Sequence, residues 1–124
     1  SQQQKTTHRA YPSNMSSEAI LVITNLPDPQ SAALLAEKLV AQRLAACVNV
    51  LAPCTSVYRW QGKIENATET PLLIKTLRSH YGKLEQAIRA DHPYELPEII
   101  AVPIESGLPA YLAWVDSETG STEK

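Results

Sequence analysis

His92-Pro93-Tyr94-Glu95-Leu96-Pro97-Glu98 holds more chemistry than any other run of this sequence. An imidazole, a phenol and two carboxylates sit on a segment that two prolines stiffen. Side chains on a stiff connection lose little entropy when they engage a ligand. Two readings stand side by side: a ligand or metal site, or a structural loop whose His and Glu bond neighbouring backbone. Metal ligation would draw on Cys47, Cys54, His80, Asp91 and His92. No C-x-x-C or H-x-x-x-H pair is present, so a closed zinc site is not expected. Adjacent Asp91 and His92 could bind a borderline cation weakly, or pair as a carboxylate–imidazole unit. Nucleophilic chemistry has little support. Cys47 follows Ala45-Ala46, an apolar context that suits an inert core thiol. Glu65 and Glu69 lie on a half-polar strand, where a solvated face accounts for them. The sequence shows no catalytic constellation and reads as a non-enzyme.

The elements that must position these residues are legible from periodicity. Val48 and Val50 alternate with Asn49, and Ser56, Tyr58 and Trp60 alternate with Val57, Arg59 and Gln61. Period two is the strand signature. Gln61-Gly62-Lys63 is the turn, and Ile64 to Leu77 is the return arm. Cys47 to Leu77 is thus one long hairpin with arms of roughly 14 residues, about 45 Å each. A domain of this size is only about 35 Å across. The hairpin overhangs its own domain, and a second copy of the chain is the simplest cover for Tyr58 and Trp60. Cys47 and Cys54, seven apart on one arm, should point to opposite faces unless Pro53 marks a bulge.

Ala19 to Ile23 is a short apolar strand, with Thr24 to Pro27 leaving it. Asp28 is an N-cap with Pro29 at N1, and a helix runs to about Leu44 with Ala32, Leu35, Ala36, Leu39 and Val40 on one face. Ser79 caps a second helix, with Tyr81, Leu84 and Ile88 on its inner side, through Asp91; Pro93 stops it and extends His92. Ile99 to Val102 is the last strand, and Pro109 opens a short helix carrying Tyr111, Leu112, Trp114 and Val115. The order β-α-β-β-α-β plus a helix is the ferredoxin-like α+β pattern. One domain spans residues 18–117. Residues 1–17 read as a disordered tail, within which Met15 is a candidate start, and 118–124 as a frayed one.

Composition excludes some partners. Eleven basic against thirteen acidic residues give a net charge of −2, with no basic block. Nucleic acid is therefore not an expected partner. No apolar run approaches the length of a membrane span, and residues 1–17 lack a secretory h-region. Two free cysteines fit a cytoplasmic protein.

Four blocks in order carry a resemblance: Leu44-Ala-Ala-Cys-Val-Asn-Val50, Ser56-Val-Tyr-Arg-Trp-Gln-Gly-Lys-Ile-Glu65, Ile74-Lys-Thr76 and His92-Pro-Tyr-Glu-Leu-Pro-Glu-Ile99. The chain closely resembles the CutA divalent-cation-tolerance family from about Ile20 to Trp114. The resemblance implies a homotrimer of ferredoxin-like protomers, similar to PII signalling proteins, whose long hairpins join sheets between subunits. It implies a role in tolerance of copper and other divalent cations, without supplying a reaction. Eukaryotic members have been tied to acetylcholinesterase anchoring. A copper site associated with bacterial members uses a Cys ending the first strand and two His before the Pro-Tyr; Thr24, Asp91 and His92 occupy those positions here. The expectation is a cation-tolerance trimer that binds copper or zinc weakly through His92 and Asp91, with binding that falls on acidification. A ligand cleft is expected from Trp60, Glu69, Lys75, Tyr94 and Glu98. The alternative is a PII-like sensor that binds a small anionic metabolite in clefts between subunits.

Overall fold

The computed structural model describes residues 18–120; both terminal tails of the sequence reading fall largely outside that span. The fold is α+β: strands β1 (Ala19–Leu26), β2 (Cys47–Val50), β3 (Cys54–Trp60), β4 (Lys63–Leu77) and β5 (Ile99–Pro103), with helices α1 (Pro29–Ala41), α2 (Tyr81–Asp91) and α3 (Pro109–Ser117). The sheet order is β2-β4-β1-β5, all antiparallel, with β3 paired to the outer half of β4.

One sheet face is the core. Ile20, Val22 and Leu26 of β1 and Leu72 and Ile74 of β4 are buried against Ala32, Leu35 and Leu39 of α1 and Leu84 and Ile88 of α2. Their spacing, two on strands and three or four on helices, is the pattern the sequence displays. Asp28 caps α1 by accepting from the Ser31 N–H at 2.8 Å, with Pro29 at the first position. The helix stops at Ala41, short of the expected Leu44. Leu44 N–H donates to the Leu39 carbonyl and Arg43 N–H to that of Val40, a Schellman closure with Arg43 left-handed at φ 60. Val40, within the helix, is 42% exposed and not a core residue. Ser79 is not a cap: it lies in a 3₁₀ turn (Arg78–His80) that leads into α2, and the N-cap His80 makes no side-chain cap bond.

Pairing overrode turn propensity at the end of β1. Thr24, Asn25 and Leu26 stay in the strand opposite Leu72, Pro71 and Thr70. The long hairpin also differs from expectation. Its return arm is the single 15-residue strand β4, but its first arm is broken at residues 51–53. Val50 faces Leu72 and Cys54 faces Glu69, four steps on one arm against three on the other. The extra residue is a bulge, where Leu51 N–H donates to the Pro71 carbonyl at 3.0 Å. It reverses the expected placement of the thiols. Cys47 opposite Lys75 and Cys54 opposite Glu69 share one face, because their partners lie an even number of residues apart. Gln61 and Gly62, at φ 53 and 82, form the two-residue turn, the left-handed pair that matches hairpin twist.

α3 lies on the second sheet face, where the Tyr111 phenol meets the Cys47 thiol. Leu112 and Val115 are buried, while Trp114 stays 41% exposed, as do Ile100 at 49% and Val102 at 42% on the open edge strand. Residues 119 and 120 bond back to the domain. The Thr119 hydroxyl donates to the Val115 carbonyl at 3.0 Å, and Gly120 N–H donates to that of Arg43 at 2.9 Å. Among the described residues no helix is long and apolar enough to cross a membrane.

Two substitutions test this account. A Cβ at Gly62 would meet nothing within 4 Å. Gly62→Ala should therefore lower stability in urea by about 1–2 kcal/mol through its left-handed backbone alone. The buried Thr70 hydroxyl has no hydrogen-bond partner, so Thr70→Val should raise stability by about 1 kcal/mol. A loss on Thr70→Val would mean that the hydroxyl is satisfied.

Candidate functional site

The connection from α2 to β5 wraps beneath the end of β1 and meets the outer hairpin. His92 fixes it. The His92 ring is nearly buried, with Nε2 2.6 Å from the Asn25 carbonyl. A carbonyl only accepts, so Nε2 carries the proton and Nδ1 is left to accept the Tyr94 N–H at 3.2 Å. Both ring nitrogens are thus engaged with backbone, and the rings of His92 and Tyr94 lie 4.7 Å apart. Asp91 turns elsewhere, to Lys38 Nζ of α1 at 2.7 Å. A cation at His92 would have to displace one of these bonds. Among the described residues no three His, Cys, Asp or Glu side chains are grouped to hold a metal. Thr24, at the position that the family resemblance assigns to a copper-binding Cys, is fully buried, and its hydroxyl has no partner.

Tyr94, so placed, forms one wall of a cleft of about 810 Å³ between the connection and the hairpin. Trp60, Glu69, Tyr94 and Glu98, four of the five residues expected at a ligand cleft, line it together. Lys75 does not: it lies further up β4, where Nζ bonds Asn49 Oδ1 of β2. The Tyr94 phenol donates to Glu69, and Asn25 Nδ2 donates to Glu98 Oε1 at 3.0 Å. Burial, and then the charge and hydrogen bond of Glu69, raise the Tyr94 pKa above the ordinary tyrosine value of 10.0. The phenol therefore stays a donor at neutral pH.

Several cleft contributors escaped the sequence reading, Tyr58, Glu95 and Asn25 among them. Tyr58 was legible, since alternation puts it on one face with Trp60. Glu95 stands in the quoted run, but nothing in its spacing says where it points. Asn25 carried no signal, because its segment reads as a turn. The cleft's charge is also opposite to what a small anion needs: Glu69, Glu95 and Glu98 line it, without Lys75.

The described residues form an antiparallel α+β fold with three α-helices, an overhanging hairpin and a cleft at its base. The chain belongs to the CutA1 divalent ion tolerance family, whose sequence pattern matches residues 20–118. The divalent-cation tolerance protein CutA of Thermus thermophilus is 44% identical over 103 residues, covering 83% of this chain and 99% of its own. A CutA homolog of Xenopus laevis is 48% identical over 89 residues, which are 72% of this chain and 59% of that protein. Among solved structures, CutA from Xylella fastidiosa superposes with a TM-score of 0.81 at 46% identity, covering 84% of this chain and all of that one. CutA1 of Oryza sativa gives 0.83 at 35%, covering 87% and 99%. The descriptions of the family and of the Thermus thermophilus protein name tolerance of divalent ions.

The Tyr94–Glu69 bond has a pH consequence. A tyrosine whose folded pKa is raised contributes stability that is complete below the unfolded value and lost as pH rises through the folded one. Stability should therefore fall above about pH 10. Tyr94→Phe should remove one late-titrating phenol from the ultraviolet titration and flatten that slope. An unchanged titration would contradict the bond.

Proposed function

We propose that the chain is a cytoplasmic, non-enzymatic homotrimer of ferredoxin-like protomers that acts in tolerance of divalent cations and binds copper or zinc weakly. The observation that carries this is the family match across residues 20–118, which spans every strand and helix except the first residue of β1. The surface supports association. Tyr58 and Trp60 on the hairpin, and Ile100, Val102 and Trp114 on the second sheet face, are each about 40–50% exposed in one chain. Apolar side chains on an open sheet face are the usual content of an interface between copies. The edges of the hairpin are a liability that ring closure removes.

Weak metal binding follows from the donors. His92 and Asp91 offer one nitrogen and one carboxylate, each already bonded, and no thiolate stands at Thr24 to favour Cu(I). The Trp60, Glu69, Tyr94 and Glu98 cleft is a ligand site beside that weak metal position. The acidic lining disfavours the anionic metabolite of a PII-like sensor.

Light scattering at micromolar concentration should report about three times 13.6 kDa, and Trp60→Ala should lower the melting temperature or the trimer fraction. A monomeric mass would overturn the assembly. Calorimetric titration with Cu(II) or Zn(II) should show weak binding that Asp91→Asn and His92→Ala reduce further and that acid weakens. Nanomolar affinity, or indifference to both substitutions, would place the metal elsewhere.

A further inference from the structure

The cleft has a chemistry that metal tolerance leaves unused. Its volume of about 810 Å³ suits a small organic molecule and far exceeds what an ion needs. Glu69, Glu95 and Glu98 all reach it. Arg59 is its one lining cation, and strand alternation carries Arg59 to the hairpin face opposite Tyr58, Trp60 and Glu69. The cleft is therefore net negative.

Its carboxylates are oriented without being neutralised. Glu69 accepts from the Tyr94 phenol and Glu98 from the Asn25 amide, both uncharged donors. No three acidic, His or Cys side chains among the described residues are grouped to share one ion. The surface that they share is aromatic. Tyr58 is 44% exposed and Trp60 39%, and Tyr94 stands across from them on its proline-stiffened segment. Aromatic faces carry negative potential and attract organic ammonium groups. Carboxylates set among aromatic and apolar wall match a ligand that carries both cationic groups and apolar chain. Ammonium groups held apart by methylene chains supply both.

We propose that the cleft binds an aliphatic polyamine, with ammonium groups on Glu69 and Glu98 and the methylene chain along Trp60 and Tyr58. The proposal rests on reading the cleft as a ligand site and is separate from the metal at His92. The test is calorimetric titration of the full chain at low ionic strength with spermidine, putrescine, citrate and zinc chloride as separate probes. Spermidine should bind more tightly than putrescine, weaken as salt is raised, and leave citrate silent. Glu69→Gln and Glu98→Gln should each weaken spermidine about tenfold, the worth of one partly solvated charge-assisted hydrogen bond. Both variants should keep the parent mass and melting temperature and leave the zinc isotherm unchanged. Tyr58→Leu should weaken spermidine about two- to fivefold through the lost cation–π contact. Silent spermidine, indifference to both glutamine variants, or tighter binding of citrate would overturn the proposal. Zinc binding with silent spermidine rejects the polyamine alone, and spermidine binding with silent zinc rejects the metal reading alone.

Discussion

The structure depends on one mismatch between two strands. β4 runs through 15 residues without a break, while the arm opposite it must fit one residue too many. The chain absorbs the surplus at residues 51–53, and the bulge divides the hairpin into two parts with different duties. The inner part, β2 with the end of β4 that follows Pro71, is a component of the core sheet. The outer part, β3 with the start of β4, pairs with no other strand among the described residues. Two strands alone are marginal in water, so the outer hairpin must be steadied by its base and by whatever covers its faces. Pro71 sits at the junction, where its missing N–H coincides with the point at which β2 stops pairing and its carbonyl takes the Leu51 N–H.

The cleft is a consequence of that overhang. A hairpin confined to the sheet would leave nothing opposite Tyr94. Because the hairpin projects, the stiff segment after α2 can face it across a gap, and His92 decides the width of the gap. Its ring joins three pieces of chain: the end of α2, the Asn25 carbonyl at the end of β1, and the Tyr94 amide. Asn25 works twice, since its side chain also holds Glu98. The most conspicuous candidate metal ligand in the sequence is therefore also the residue that sets the cleft's geometry.

Much of the fold was legible because its periods are clean. Ile20, Val22, Leu72 and Ile74 at spacing two, and Leu35, Leu39, Leu84 and Ile88 at helical spacing, place the sheet and both helices against one core. Asp28-Pro29 announced its helix for a local reason and did so correctly. The misses were decided by distant partners. Thr24 to Leu26 look like a turn until β4 and β5 pair with them. Helix α1 ends early because Arg43 accepts a left-handed backbone, which no local preference of arginine announces. The bulge is invisible to alternation alone, since a count along one arm cannot reveal that the other arm is a residue shorter. Of the site, Trp60, Glu69, Tyr94 and Glu98 were accessible from the rigid run and the overhanging arm. Lys75 was not separable from them, because a pattern of faces does not give height along a strand.

The central claim of the proposed assembly is that the outer hairpin is ordered by association and not by its own two strands. Amide hydrogen exchange followed by mass spectrometry measures this directly, peptide by peptide. Residues 54–69 should be protected to a degree comparable with residues 19–26 of the central strand, and should lose that protection on dilution into conditions that dissociate the assembly. Rapid exchange of residues 54–69 at every concentration, with residues 19–26 still protected, would contradict the account.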